Sequence, residues 1–218
     1  MEPWRLLQLA DSALPTGGFA HSAGLEAAVQ LGHVRGGGGL ESFAVEALWA
    51  AGALGLPFLR AAHRAPGALQ ALDARCDAAI PGHVANRASR AQGLAFLRAT
   101  GSISPEVAAL ADCSRLARSP GHLAPSLGAA LKLLEAGAEE AALLYLFGAA
   151  RGLVSAGVRL GLLGPLEAQG VLARLGPTAE AVQTRFTSAD PAEAASISPL
   201  LDLLQSHQDR LYSRLFQS

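Results

Sequence analysis

Residues 138–163, AEEAALLYLFGAARGLVSAGVRLGLL, are apolar on nearly every side when the stretch is drawn as a helix. After the two glutamates of the first turn, its only charged residues are Arg151 and Arg159. A helix that is hydrophobic all round is normally buried among other helices. The stretch therefore predicts the central helix of an all-α core, and Gly164-Pro165 is expected to end it.

The rest of the chain is divided by glycine and proline into segments of ordinary helix length. No segment shows the alternation of a strand, and β-branched residues are scarce. The predicted fold class is all-α, a single-domain multi-helix bundle over residues 1–218. The predicted helices cover approximately residues 4–14, 22–31, 40–63, 68–79, 84–100, 105–116, 126–136, 138–163, 165–175 and 178–186, with a last helix that begins near 199 and places Leu200, Leu204, Leu211 and Leu215 on one side.

Several boundaries are predicted from local chemistry. Ser22 is a natural N-cap for the second helix, and Ser104-Pro105-Glu106 combines a cap, a proline and an acid favoured by the helix dipole. Asp190 to Glu193 has the form of a capping box. The run Gly36 to Gly39 is expected to be a flexible connector, and Pro57 is expected to disturb the helix that contains it.

Composition limits the possible partners and compartments. The net charge of −1 gives no electrostatic reason to expect nucleic acid or an anionic membrane as a partner. Cys76 and Cys113 form no CxxC pair, which suggests buried thiols in a reducing compartment and not a disulfide framework. The segment Ala47 to Leu59 looks too short to span a bilayer, and Ala141 to Leu163 carries two arginines. We therefore expect a cytoplasmic protein.

No constellation of residues predicts catalysis. No two histidines are spaced i,i+4 on a helix, HExxH is absent, and the glycine runs match neither a P-loop nor a dinucleotide fingerprint. The serines examined, Ser12, Ser22 and Ser155, have no visible base and acid partners. These observations favour a binding or scaffolding protein over an enzyme, with no cofactor and no metal site expected. A small enzyme or metal-binding chaperone that uses His21 and Glu26 stays an alternative.

Blocks from both ends and the centre of the chain carry a family resemblance. Residues 6–26, LLQLADSALPTGGFAHSAGLE, closely resemble the N-terminal signature of the UreF family of urease accessory proteins. Residues 153–165, LVSAGVRLGLLGP, are similar to the family's central helix and following turn. Residues 198–202, SPLLD, and the ending 211–218, LYSRLFQS, are similar to its tail.

The resemblance implies an all-helical, non-catalytic and dimeric protein that helps to place nickel in urease. It implies binding to UreH, called UreD in many systems, recruitment of the GTPase UreG with an effect on its GTPase cycle, and action on apo-urease. A helical adaptor for another GTPase is a further alternative.

Two surfaces follow as partner-binding hypotheses. The resemblance makes the N-terminal loop a shaped surface, whose residues are Pro15, Gly17, Gly18, Phe19, His21 and Glu26. The tail, at about 206–218, ends in Tyr212, Arg214, Leu215 and Phe216, which are too apolar for a frayed terminus. We expect it to order against UreH, with docking on its own domain as the alternative. Arg151 and Arg159 either form structural ion pairs or face a partner.

Overall fold

The computed structural model describes residues 1–218 and contains helices without strands, which confirms the all-α fold class. The α-helices are α1 (Pro3–Ala10), α2 (Leu25–Gln30), α3 (Gly36–Arg64), α4 (Leu69–Ala79), α5 (His83–Gly101), α6 (Pro105–Leu116), α7 (Leu123–Leu133), α8 (Ala138–Arg159), α9 (Pro165–Arg174), α10 (Gly176–Arg185) and α11 (Pro199–His207). Short 3-10 turns cover Gly18–Ala20, Pro66–Ala68, Pro191–Glu193 and Gln208–Arg210.

The core is organised around α3, α7 and α8, which pack against one another. The larger of two clusters of buried hydrophobic residues has 37 members and draws on these helices and on most of the others. Cys76 is buried, but Cys113 on α6 is exposed, so the expectation of buried thiols was wrong for Cys113. The crossing of α3 and α7 is close at Gly128, where an added Cβ would lie 2.9 Å from the carbonyl carbon of Leu59. The predicted central helix, α8, therefore shares the centre with the longer α3.

The four-glycine run is not a connector, and Pro57 does not interrupt α3. Gly36 to Gly39 form the first turn of α3, and only Gly36 has a positive φ, of 59°. Pro57 cannot donate a hydrogen bond to the carbonyl of Ala53. The main-chain N–H of Ala195 donates to that carbonyl instead, at 3.3 Å, so the proline leaves no orphaned acceptor.

Four other helices have ends that the sequence placed wrongly by three or four residues. α1 ends at Ala10 and not at Leu14, and α7 covers Leu123–Leu133 and not residues 126–136. α2 begins at Leu25, because Ala23 and Gly24 have φ of 51° and 87° and cannot continue a helix from Ser22. α8 ends at Arg159 because Gly161 is left-handed, and the N–H of residue 162 returns to the carbonyl of Gly157 at 3.0 Å.

The C-terminal end of the chain also differs from its prediction. α11 ends at His207, so Leu211 and Leu215 do not share its apolar face. Residues 206–210 belong to α11 and the 3-10 turn that follows it. The extended part of the tail therefore begins at Leu211.

Helices α3 and α8 are, by length and composition alone, sufficient to cross a membrane. α3 has 29 residues, so the expectation that its apolar stretch is too short was wrong. In the fold, 61% of the most apolar window of α3 and 50% of that of α8 are buried. Core helices of soluble proteins share this length and composition, and both helices supply the core cluster.

Candidate functional site

The two ends of the chain meet and hold each other by main-chain hydrogen bonds. The N–H of Gln217 donates to the carbonyl of Ala20 at 2.8 Å. The N–H and the hydroxyl of Ser22 both donate to the main-chain oxygen of Ser218, at 2.5 and 2.9 Å. Within the chain, the tail therefore docks on its own N-terminal loop. We call this site the terminal junction and define it as residues 17–26, Arg159 and the extended tail, residues 211–218.

Glu26 is the centre of the terminal junction and is only 2% exposed. One carboxylate oxygen accepts the N–H of Leu215 at 2.6 Å, and the other accepts the N–H of Phe216 at 3.1 Å. The side-chain amide of Gln208 donates to that second oxygen at 2.6 Å. No cation pairs with Glu26, so these three donors compensate the cost of burying its charge.

Arg159 lies between two aromatic rings that come from opposite ends of the chain. Its guanidinium carbon is 3.7 Å from the ring centroid of Phe19 and 4.2 Å from that of Phe216. It also donates to the main-chain carbonyl of Phe19. Stacking on two ring faces is a cation–π arrangement that suits the planar guanidinium. Arg159 is thus held without the structural ion pair that was one of its two predicted roles.

His21 adds a side-chain contact to the terminal junction. Its Nδ1 lies 2.6 Å from the hydroxyl of Ser218. Burial, and to a lesser extent the positive charge of Arg87, lowers the pKa of His21. The lowered pKa favours the neutral ring, whose Nδ1 can accept a hydrogen bond from the hydroxyl of Ser218.

Asp209 ties the base of the tail to α5. Its carboxylate accepts two hydrogen bonds from Arg87, at 2.9 and 3.1 Å, and one from Arg214 at 3.0 Å. The hydrogen bond from Arg87 lowers the pKa of Asp209. Arg214, a predicted partner residue, is therefore already engaged within the chain.

The loop residues differ in what they require from the backbone. Gly17 has φ of 74° and precedes the 3-10 turn, whereas Gly18 has no positive φ and belongs to that turn. Gly24 was not singled out from the sequence, yet it has φ of 87° and an added Cβ would lie 2.9 Å from the side chain of Gln205. Pro15 lies before these contacts and lines an adjacent cavity.

The outer face of the terminal junction is apolar. Phe19 is 70% exposed, Leu215 is 53% exposed and the side chain of Tyr212 is fully exposed. Phe216, in contrast, is buried. The structure thus divides the predicted partner residues into an inner set that holds the tail and an outer set that faces outward.

Sequence reasoning missed Gln208, Ser218 and Asp209, all of which hold the tail. Gln208 is completely buried, and its second hydrogen bond goes to the carbonyl of Phe216 at 3.2 Å. A buried glutamine in a polar C-terminal stretch gives no local signal, because its partners are distant in sequence.

A second polar network lies at the start of α7. The carboxylate of Asp73 accepts the N–H groups of Gly121 and His122 at 2.6 and 2.7 Å. The two ring nitrogens of His122 lie 2.9 Å from Asp77 Oδ1 and 3.1 Å from Ser89 Oγ. Ser89, His122 and Asp77 thus form a Ser–His–Asp series. The nearby N–H groups of Gly121 and His122 donate to Asp73, so they are not free to stabilise an oxyanion. This network anchors α7.

The side chains that could bind a metal ion do not come together in the fold. No group of three or more His, Cys, Asp or Glu side chains is placed to hold a metal ion. His21 and Glu26 both contact the tail, and both oxygens of Glu26 already accept hydrogen bonds.

Comparison with known proteins gives consistent matches. A family model described as UreF matches residues 34–176. Urease accessory protein F of Oryza sativa subsp. japonica is 37% identical over 219 residues, covering 98% of this chain and 84% of the relative. The protein of the same name from Arabidopsis thaliana is 37% identical over 221 residues, covering 99% and 92%. Urease accessory protein UreF of Mycobacterium tuberculosis is 34% identical over 214 residues, covering 98% and 97%.

Proposed function

Because this chain belongs to the UreF family of urease accessory proteins, we propose that it is a scaffold that links UreH/UreD to the GTPase UreG. Its role lies in urease maturation, and its relatives are named urease accessory proteins. The scaffold we propose has no catalytic activity of its own. The proposed complex places nickel in apo-urease and modulates the GTPase activity of UreG. We propose that it works in the cytoplasm as a homodimer, without nucleic acid or membrane.

The observation that supports this function is the apolar outer face of the terminal junction. Phe19, Tyr212 and Leu215 expose aromatic and aliphatic surface next to backbone that is fixed by Glu26. Exposed aromatic residues on an ordered backbone are typical of binding hot spots. Because the loop is already ordered, a partner would pay little entropy for docking there. We propose that UreH/UreD binds this face.

The test is co-purification with UreH/UreD and then with UreG, followed by an assay of urease activation. The double variant Tyr212→Ala/Leu215→Ala removes the outer side chains but keeps the N–H groups that bind Glu26. We expect it to bind UreH/UreD at least about tenfold more weakly and to activate less urease. Deletion of Tyr212–Ser218 is less specific, because it also uncovers the buried carboxylate of Glu26.

The matched control is Leu166→Ala on α9, which alters a leucine that is 90% exposed elsewhere on the surface. It is expected to bind UreH/UreD and to activate urease normally. Helical circular dichroism confirms that all variants are folded. Normal UreH/UreD binding by the double variant would show that another face carries the interaction.

The two alternatives can be tested separately. A metal-binding chaperone that uses His21 and Glu26 predicts stoichiometric nickel binding by calorimetry that His21→Ala removes. The present contacts oppose this function, because a metal would have to displace the tail from Glu26. An adaptor for another GTPase predicts that UreG is not bound even when UreH/UreD is present.

A further inference from the structure

A groove with a cavity of about 470 Å³ runs beside the terminal junction. One wall is α8, which contributes Gly148, Gly152 and Ser155, and another is α3, which contributes Ala50 and Ala51. The N-terminal loop and residues of α5, α7 and α11 complete the lining, and Arg151 and Arg159 belong to it. We call this cavity the α8 groove. Its size is typical of a binding site. The small side chains on its α8 wall leave the backbone of α8 accessible.

Gly148 and Gly152 are not required by the packing of the chain itself. They are four residues apart in the middle of α8, and an added Cβ at either would meet nothing within 4 Å. Gly157 on the same helix differs, because a Cβ there would collide with Leu40. A glycine inside a helix costs about 1 kcal/mol relative to alanine. Two glycines that face open space instead permit the close approach of another helix, since side-chain size at the contact sets the interaxial distance.

The same face of α8 carries two positive charges without acidic partners. Arg151 and Arg159 are eight residues apart, which is about 12 Å along a helix. Neither forms an ion pair with a carboxylate of the chain. Each donates to one main-chain carbonyl, of Ala10 and Phe19 respectively, although a guanidinium has five N–H donors.

Two carboxylates also line the groove, but their own neighbours already bind them. Asp11 accepts the N–H of Ala13 at 2.9 Å, and Asp202 accepts the hydroxyl of Ser196. Neither pairs with Arg151 or Arg159. Both carboxylates keep their charge, but neither lies on α8, where Arg151 and Arg159 are the only charged residues that line the groove.

We propose that the α8 groove binds a helix of a partner protein that has small residues at the contact and two carboxylates about two turns apart. The small residues lie against Gly148 and Gly152, and the carboxylates pair with Arg151 and Arg159. Bidentate pairing with carboxylates is the geometry that guanidinium groups favour. A second copy of this chain fits less well, because a two-fold contact through this groove brings like-charged arginines together.

The test uses a defined probe and needs none of the urease partners, so it succeeds or fails independently of the proposed function. The probe is a fluorescent 18-residue alanine-rich helical peptide with glutamates eight residues apart. A second peptide with lysines at the same two positions is its control. Binding to the full chain is followed by fluorescence anisotropy at low and high salt.

We expect the glutamate peptide to bind at least tenfold more tightly than the lysine peptide, with weaker binding at high salt. Gly152→Leu fills the groove and should weaken binding at least tenfold, whereas Gly176→Leu on α10, also open to solvent, should not. Arg151→Glu should remove most of the preference for glutamate. Circular dichroism and thermal melting confirm that the variants are folded.

Three results of the peptide assay would overturn the proposal: no binding of the glutamate peptide, equal binding of the two peptides, or unchanged binding by Gly152→Leu. Analytical ultracentrifugation of the chain alone tests whether a second copy of the chain occupies the groove instead. A dimer that Gly152→Leu dissociates would assign the groove to a second copy and would also overturn the proposal.

Discussion

Replacing Glu26 with glutamine tests whether its carboxylate holds the tail in place. Glutamine has nearly the same shape, but in place of one carboxylate oxygen it has an NH2 group, which cannot accept a hydrogen bond. The carboxylate oxygens accept from Leu215 on one side and from Phe216 and Gln208 on the other. Either orientation of the amide therefore leaves at least one of these donors without an acceptor.

The size of the effect follows from those contacts. A hydrogen bond to a charged group contributes about 1.5–3 kcal/mol. Because residues 211–218 belong to no helix, the loss should appear as local opening of the tail and not as global unfolding. Losing one such bond should raise the population of the undocked tail about 10-fold to 160-fold.

Hydrogen exchange followed by mass spectrometry measures this opening directly. Peptides that cover residues 211–218 should exchange faster in Glu26→Gln by that factor, while peptides from α3 and α7 should not change. The matched control is Glu180→Gln, which alters an exposed glutamate on α10 without an ion pair. Tail exchange within twofold of the wild type would refute the role assigned to Glu26.

Other substitutions test the fold and the loop separately. Asp73→Ala leaves two buried main-chain N–H groups at the start of α7 without their acceptor, so it should lower the free energy of unfolding by about 3 kcal/mol in chemical denaturation. The hydrogen bond from Arg60 lowers the pKa of Glu139 from 4.5 to about 2. The pair is therefore stabilising above pH 4.5 and loses its effect as the pH falls towards 2, so the difference in Tm between wild type and Glu139→Gln should shrink over that range. Because Glu139 is 57% exposed, the difference in Tm should be small. A difference in Tm that does not fall with pH would contradict this role. Gly17→Ala should impair urease activation because residue 17 has φ of 74°, whereas Gly18→Ala should be tolerated; equal effects of the two would show that the left-handed turn is unimportant.

Local chemistry predicted those parts of the fold that depend on neighbouring residues. The hydroxyl of Ser104 accepts the N–H of Val107 at 3.4 Å and caps α6, and the capping box at Asp190 is formed. These contacts span only a few residues, so the sequence displays both partners together. Residues 138–163 are apolar on nearly every side, and this alone predicted a core helix, which the structure contains as α8.

The failures share a different physical cause, which is a partner distant in sequence. Pro57 is accommodated because Ala195 donates to the freed carbonyl of Ala53. Ser22 was expected to cap the second helix, and its hydroxyl does accept the N–H of Glu26 in the first turn of α2, at 3.4 Å. The same hydroxyl and the N–H of Ser22 also donate to the main-chain oxygen of Ser218, which lies at the other end of the chain. No local spacing rule reveals either tertiary hydrogen bond.

The stretches that first suggested the UreF family meet at one point in the fold. Phe19 belongs to the N-terminal stretch, Arg159 to the central stretch and Phe216 to the C-terminal stretch, and the arginine lies between the two rings. Lysine could not replace this planar, stacked guanidinium, and an aliphatic residue at 19 or 216 would remove a ring face. The contact of Phe19, Arg159 and Phe216 therefore gives a physical reason why the three stretches, although far apart in the sequence, occur together in one chain. It also places the partner-binding hypothesis on a surface whose shape depends on all three stretches at once.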